Sequence, residues 1–345
     1  MKKVLLLTTG GTIAARNGDR GLVPDLKCKN IIQMLPELKK YFSIDSKDVL
    51  SMDSSNIQPE EWQYIAQLVE GALDTYDGII ITHGTDTMAY TASALSYMLQ
   101  DLQKPVVLTG AQIPIERMFT DAKRNLQTAF AAISAGVRGV SIAFDDKIIN
   151  GCRAVKVRTM GFNAFESISA PYLGEVYADG IHVYTENIKA QRPGKAVNLK
   201  KELCTKVFLL KLIPGTNPEI FDRLLDMGYE GIVIEAFGAG GTHFERRNLI
   251  SKLKKLMDNG ISVVACSQCL YEKSDFSMYE VGRKLLECGV IPGRDMTTEA
   301  IVTKLMWALG QTKDPQKIRE IFNTDYAGEV TLEEYEEADA LSQVM

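Results

Sequence analysis

The sequence predicts an α/β protein built as two domains, and three observations carry that expectation. The chain has 345 residues, more than one hydrophobic core usually fills. Short apolar, β-branched runs recur at 4–9 (VLLLTT), 78–82 (GIIIT), 105–110 (PVVLTG) and 139–144 (GVSIAF). Segments of helical period lie between them. Strands that are apolar throughout and alternate with helices belong to a parallel sheet covered on both faces.

The elements follow in chain order. After Pro59, PEEWQYIAQLVEGAL puts Trp62, Ile65, Ala66, Leu68, Val69 and Leu73 on one helix face. Glu60 and Glu61 fall in its first turn, where the helix dipole favours acids. DTMAYTASALSYMLQ (86–100) and RNLQTAFAAISAG (124–136) repeat the pattern, the second stopped by Gly136. The stretch TENIKAQRPGKAVNLKKELC (185–204) is polar and basic, with Pro193-Gly194 at its middle. It reads as an interdomain linker. The expected division is a catalytic domain over 1–184, a linker over 185–205 and a second α/β domain over 206–345. KVFLLKLIPG (206–215), GIVIEAFGAGG (231–241) and ISVVACSQ (261–268) supply the second set of strands. TTEAIVTKLMWALGQ (297–311) is a late helix with a threonine cap and Glu299 in its first turn. From Thr331 onward come five acidic residues and no basic one, which reads as a solvated terminal helix.

Composition narrows the function. The apolar share of 46% and charged share of 24% suit a soluble globular protein, and no apolar run approaches a membrane span. The opening Lys2-Lys3-VLLL run is too short for a secretory signal, so it reads as the first strand of a cytoplasmic protein. A net charge of −5 argues against a nucleic-acid surface. Six cysteines fit reduced thiols. Cys266 and Cys269 form a single C-x-x-C, and with three histidines in the chain they read as thiols near a strand end, not a zinc site.

Ligands of open parallel sheets sit beyond the carboxyl ends of the strands. Three such ends here carry glycine with small hydroxyl or amide residues: TTGGT, HGTDTMAY and TGAQIP. In TTGGT, Gly10 and Gly11 permit a sharp turn that presents Thr12, either as a nucleophile beside backbone donors or as a capping residue. The motif lacks the glycine-lysine pattern of nucleotide loops. A threonine hydroxyl needs a group to take its proton. His83 is the histidine in reach, and it reads as a structural, hydrogen-bonded ring. Thr85 and Asp86 stand where the next helix begins, as functional groups or as caps. Lys156, in GCRAVKVRT, is a candidate proton carrier that no spacing argument singles out. Asp53, Ser54 and Ser55 precede the Pro59 helix, as a carboxylate-binding turn or a cap.

Together these segments resemble the bacterial-type L-asparaginases, most closely the cytoplasmic type I branch. TTGGTIAA, MDSSNIQPEEW, DGIIITHGTDTMAYTASALSYML, KPVVLTGAQIPI and GRDMTTEAIVTKLMWAL carry the likeness, which spans about residues 3–335. The resemblance implies a larger flavodoxin-like N-terminal domain and a smaller Rossmann-like C-terminal one. It implies hydrolysis of the side-chain amide of L-asparagine to aspartate and ammonia, with no cofactor and no metal. Thr12 matches the nucleophile, and Thr85, Asp86 and Lys156 match a second Thr-Asp-Lys set. Asp53, Ser54 and Ser55 match the segment holding the amino acid's α-groups, while Gly11, Gly84 and Ala111 match substrate-facing turns. The family's sites lie between subunits of a close homodimer, often a dimer of dimers. Two departures stand out. The family's lid loop usually carries a tyrosine, whereas RNGDRGLVPD offers Leu22, and Tyr279 is the candidate replacement, reaching in from a partner subunit. Some type I enzymes have an allosteric asparagine site using an arginine, and Glu235 stands at that position, which argues against such control. A related amidase acting on misacylated tRNA carries an added N-terminal domain and a tRNA surface, which an acidic chain opening on strand one does not suggest. A non-catalytic sensor of this fold is free to lose Thr12 or Lys156, and both are present.

Overall fold

The computed structural model describes residues 1–18, 21–24, 26–190 and 196–332. The middle of the expected linker and the acidic end of the chain lie outside them.

An eight-stranded sheet organises the N-terminal half. Across it run Gly180–Val183, Gly174–Tyr177, Lys147–Asn150, Gly139–Phe144, Pro105–Thr109, Gly78–Thr82, Lys2–Gly10 and Phe42–Met52. The apolar runs at 4–9, 78–82, 105–110 and 139–144 form its parallel centre. Two features differ from the expectation. The edge strand Phe42–Met52 alternates buried and exposed residues at its start because its alternate side chains face solvent, so it never showed as a continuous apolar run. Beyond Phe144 the sheet turns antiparallel, through the tight hairpins at Phe144–Lys147 and Tyr177–Gly180 and a pairing of Lys147–Asn150 with Gly174–Tyr177.

Side chains of successive strand residues go to opposite faces. Leu5, Leu7, Ile79, Ile81, Val106 and Leu108 pack against the helices Pro59–Ala72 and Met88–Met98. Val4, Leu6, Ile80 and Val107 pack on the other side against Leu126, Phe130 and Ile133 of Ala122–Ala135. That helix stops at Gly136, whose φ of 74° and ψ of 35° are left-handed.

The second sheet is parallel, in the order Val207–Lys211, Gly231–Ala236, Ser262–Ser267, Ile291–Pro292. Helices Glu219–Asp226 and Leu249–Asp258 cover one face, and Thr298–Gln311 and Pro315–Phe322 the other. Thr297 caps the Thr298–Gln311 helix by accepting from the Ala300 N–H at 3.1 Å.

The two halves meet along the Thr298–Gln311 helix, where Trp307 stacks on Tyr97 at 6.0 Å between ring centres. Lys304, fully buried on that helix, pairs with the equally buried Glu329 at 2.6 Å. Arg153 of the N-terminal half donates to Asp295 O at 2.9 Å, Asp295 Oδ2 at 3.1 Å and Gly328 O at 2.8 Å. Asn150 donates to Ala327 O at 2.7 Å. Residues 325–331 thereby tie both halves together.

Candidate active site

Sheet register assembles the site. Thr8 lies beside Thr82, and Thr82 beside Thr109, so three neighbouring strands end at one level. TTGGT, HGTDT and TGAQ leave the sheet together.

The threonines of TTGGT divide their roles. Thr8 Oγ1 donates to Asp48 Oδ1 at 2.9 Å and Thr9 Oγ1 to Thr82 O at 3.0 Å, fixing the strand end. Gly11 donates its N–H to Met52 O at 3.1 Å, with φ 75° and ψ −179°, a conformation essentially restricted to glycine. A Cβ on Gly11 would stand 2.4 Å from the Gly84 nitrogen and 2.5 Å from its Cα. The TTGGT and HGTDT turns are thus in backbone contact. Thr12 opens the short turn Thr12–Ala14, half-buried, and its hydroxyl has no hydrogen-bond partner among the described residues.

His83 is fully buried. Trp62 Nε1 donates to Thr91 Oγ1 at 3.0 Å, which leaves the Thr91 hydroxyl to donate to His83 Nε2 across 2.9 Å. His83 Nδ1–H then donates to Gly84 O at 2.7 Å. Burial lowers the pKa of the ring to about 4, so it stays neutral and both nitrogens are occupied. It shapes the Gly84 turn and is not placed to accept a proton from Thr12.

Thr85, buried, accepts from Lys156 Nζ at 2.7 Å, and Asp86 Oδ1 accepts from the same ammonium at 2.6 Å. Lys156 is 17% exposed and Asp86 63%, so the carboxylate faces outward from the trio. The following helix begins only at Met88, so Asp86 serves Lys156 and not a helix cap. Asp53 Oδ1 accepts from the Ser55 N–H at 2.8 Å and the Ser55 hydroxyl at 2.7 Å. Those bonds hold the Asp53 carboxyl below its usual range, and the Lys156 charge adds to the effect. Ser54 is buried against Gly84, where an added Cβ would meet Ser54 Oγ at 2.5 Å, and Ser54 O accepts from Thr87 Oγ1 at 2.7 Å. Ala111 is buried in the third turn.

Two supports were not read from the sequence. Asp121 accepts the N–H of Gln112 at 2.9 Å and of Ile113 at 3.0 Å, locking the turn after Ala111. Its signal, an acid at a helix start, is that of any cap. Gln112 Nε2 donates to Thr159 O at 3.2 Å and Gly161 O at 3.1 Å, holding the loop beyond Lys156. Tyr279 stands at the N-cap of Glu280–Glu287 and is 60% exposed, with no hydrogen bond from its hydroxyl among the described residues. The backbone of Leu22 pairs with Asn17 in a hairpin, and its side chain lies outside the described set. Glu235 is occupied, accepting from Thr298 Oγ1 at 2.8 Å and facing Lys211 at 3.5 Å. Among the described residues no cluster of acids, histidines or cysteines could hold a metal ion, and no helix is long and apolar enough to cross a membrane.

A family model for the asparaginase N-terminal domain matches residues 3–189, and one for the glutaminase/asparaginase C-terminal domain matches 206–322. The chain is 44% identical to an L-asparaginase of Thermococcus kodakarensis, over 95% of this chain and 99% of that one. It is 36% identical to a component of the glutamyl-tRNA(Gln) amidotransferase of Pyrococcus abyssi, over 96% of this chain and 77% of the relative. The solved thermostable L-asparaginase from Thermococcus kodakarensis superposes with a TM-score of 0.90 at 42% identity, covering 96% of this chain and 100% of that one.

Proposed function

The chain belongs to the asparaginase family, and on that premise we propose that it hydrolyses L-asparagine to L-aspartate and ammonia through an acyl-threonine. The observation that carries the site assignment is Lys156, hydrogen-bonded to both Thr85 and Asp86, beside the contact between Gly11 and Gly84. Thr12 Oγ1, the hydroxyl left free, attacks the side-chain amide carbon. Backbone N–H groups of the Gly11, Gly84 and Ala111 turns face the developing oxyanion, each well-placed donor supplying about 3–4 kcal/mol. Lys156 donates to Thr85 Oγ1, so the Thr85 proton points away from the lysine and is available for relay. The proton that Thr12 gives up passes through the Thr85 hydroxyl to the amide nitrogen, the C–N bond breaks, and ammonia leaves. Water then adds to the acyl carbon and releases aspartate, restoring the Thr12 hydroxyl. Asp86 receives the substrate ammonium, and Asp53, Ser54 and Ser55 position its α-groups.

The domain division at 1–184, 185–205 and 206–345 belongs to this reading, as does a homodimer or dimer of dimers. Exposed Met118, Phe119, Met160 and Phe162 support an interface, because they flank the Gln112 and Lys156 loops. In such a dimer Tyr279 of one protomer serves the partner's Thr12. Six free cysteines fit a reducing, cytoplasmic setting. The likeness to the amidotransferase component supports a second reading, an amide carried on a tRNA. Purified protein incubated with free asparagine, and separately with glutamine, decides by ammonia release. Activity on asparagine that vanishes in Thr12→Ala supports the proposal. Undiminished activity in Thr12→Ala removes Thr12, and no activity on either free amide favours the second reading.

A further inference from the structure

A cavity of about 590 Å³ lies behind the Lys156 hairpin, between the 271–277 loop, the 292–295 turn and Ser169. That volume suits a small-molecule site, roughly 300–1,000 Å³. The apolar part of its wall is Phe276, Leu286 and Pro292. Phe276 is held rigidly, since a Cβ on Gly240 would meet its ring at 2.6 Å and one on Gly282 its carbonyl at 2.2 Å. The wall is therefore preformed. Its polar part is uneven. Arg294 donates to Asn323 Oδ1 at 3.0 Å and has no carboxylate partner among the described residues. The aspartates are engaged, Asp275 by Ser277 and Asp295 by Arg153 and the Thr331 N–H, while Glu272 is exposed at the rim, where water screens it. The Ser169 hydroxyl is buried without a hydrogen-bond partner among the described residues. Ser169, Glu272 and Arg294 have φ of 53°, 75° and 57°, so three of the left-handed non-glycine residues meet around one cavity.

The same walls hold the Lys156 hairpin. Tyr271 donates its hydroxyl to Glu166, which pairs with Val155 across the hairpin and also accepts from Arg158 at 2.7 Å. Asp295 accepts from Arg153, three residues before Lys156.

We propose that this cavity binds a small amphipathic organic anion, an aromatic or aliphatic body with one acidic group, and that its occupancy acts on Lys156 through Tyr271 and Asp295. The body lies on Phe276 and Leu286, and the acid meets Arg294. With the Phe276 side fixed, the occupant displaces the opposite side, Tyr271 and Asp295, which draws Glu166 and Arg153 along and slackens the lysine's hold on Thr85. The kinetic part of this proposal rests on the asparaginase reading; the binding part does not. The full chain is titrated with 8-anilinonaphthalene-1-sulfonate, followed by fluorescence and by asparagine turnover. A single saturable site is expected, with kcat and kcat/KM falling together at saturation and KM unmoved, because the slackened Lys156 contact acts in the transition state. Leu286→Trp, which sets an indole ring where the dye's body would lie, removes both the fluorescence gain and the probe's effect on that variant's own rate. Arg294→Met weakens binding, and Arg294→Lys restores it. Binding that does not saturate, or that survives Leu286→Trp and Arg294→Met alike, overturns the proposal. So does inhibition that raises KM alone, since the probe then occupies the asparagine site. Protein that binds the dye as described but releases no ammonia refutes the asparaginase reading and leaves the cavity assignment standing.

Discussion

Replacing Gly11 with alanine tests whether the contact between the two glycine turns sets the reacting geometry. The new methyl carbon would lie 2.4 Å from the Gly84 nitrogen, where ordinary contact begins at 3.4 Å. The obstacle is backbone on both sides, so no flexible side chain can yield. The turns must separate by about 1 Å, and a displacement of that size at reacting groups costs roughly 100-fold in rate. The backbone conformation of Gly11 adds about 1–3 kcal/mol of strain in the folded state. The assay is ammonia release from asparagine, with thermal unfolding in parallel. The expected result is a folded protein with a lowered melting temperature and kcat/KM down by about two orders of magnitude. Wild-type kcat/KM in Gly11→Ala would refute the idea that this contact positions Thr12 against Thr85.

Three further outcomes are expected. Lys156→Met removes the donor to Thr85 and lowers kcat about 10²–10⁴-fold with a smaller change in KM, measured by steady-state kinetics. His83 has its pKa lowered from 6.5 to about 4 in the fold, so the unfolded chain binds the extra proton between those values. Stability is therefore complete above pH 6.5 and falls as pH drops toward 4, by about 3 kcal/mol in all, and His83→Gln should flatten that part of a urea-unfolding series. Lys304→Met strands the buried Glu329 carboxylate and should cost about 3–5 kcal/mol by the same measurement.

The parts legible in the sequence were those whose physics is local. GIIIT and PVVLT sit between two strands and under two layers of helices, so every position is apolar and the run announces itself. Gly136 ended its helix as read, because a left-handed residue there is a single-residue requirement. Phe42–Met52 escaped notice because an edge strand has half its surface in water, and the short hairpins after Phe144 because pairing of three or four residues leaves no periodicity. In the site, TTGGT and HGTDT were legible as glycine turns. Lys156 was named through the family resemblance and not by its spacing, since its role comes from a hairpin that folds it across 71 positions onto Thr85. The fastening by the Gln112 side chain follows no sequence pattern, because its acceptors lie 47 and 49 positions away, and Asp121 was hidden behind the ordinary look of a helix start.

The ties made by residues 325–331 bear on when this protein becomes whole during synthesis. Arg153 finds its acceptors at Asp295 and Gly328, and Asn150 its acceptor at Ala327. A growing chain that has completed the eight-stranded sheet still lacks the anchors behind its lysine. Lys304 emerges with no counter-charge until Glu329 follows it. The ribosome must therefore deliver the 325–331 segment before the first turn of the chain, with its threonine, faces a secured lysine. Any protein halted earlier holds the groups of the site without the fastening that aligns them.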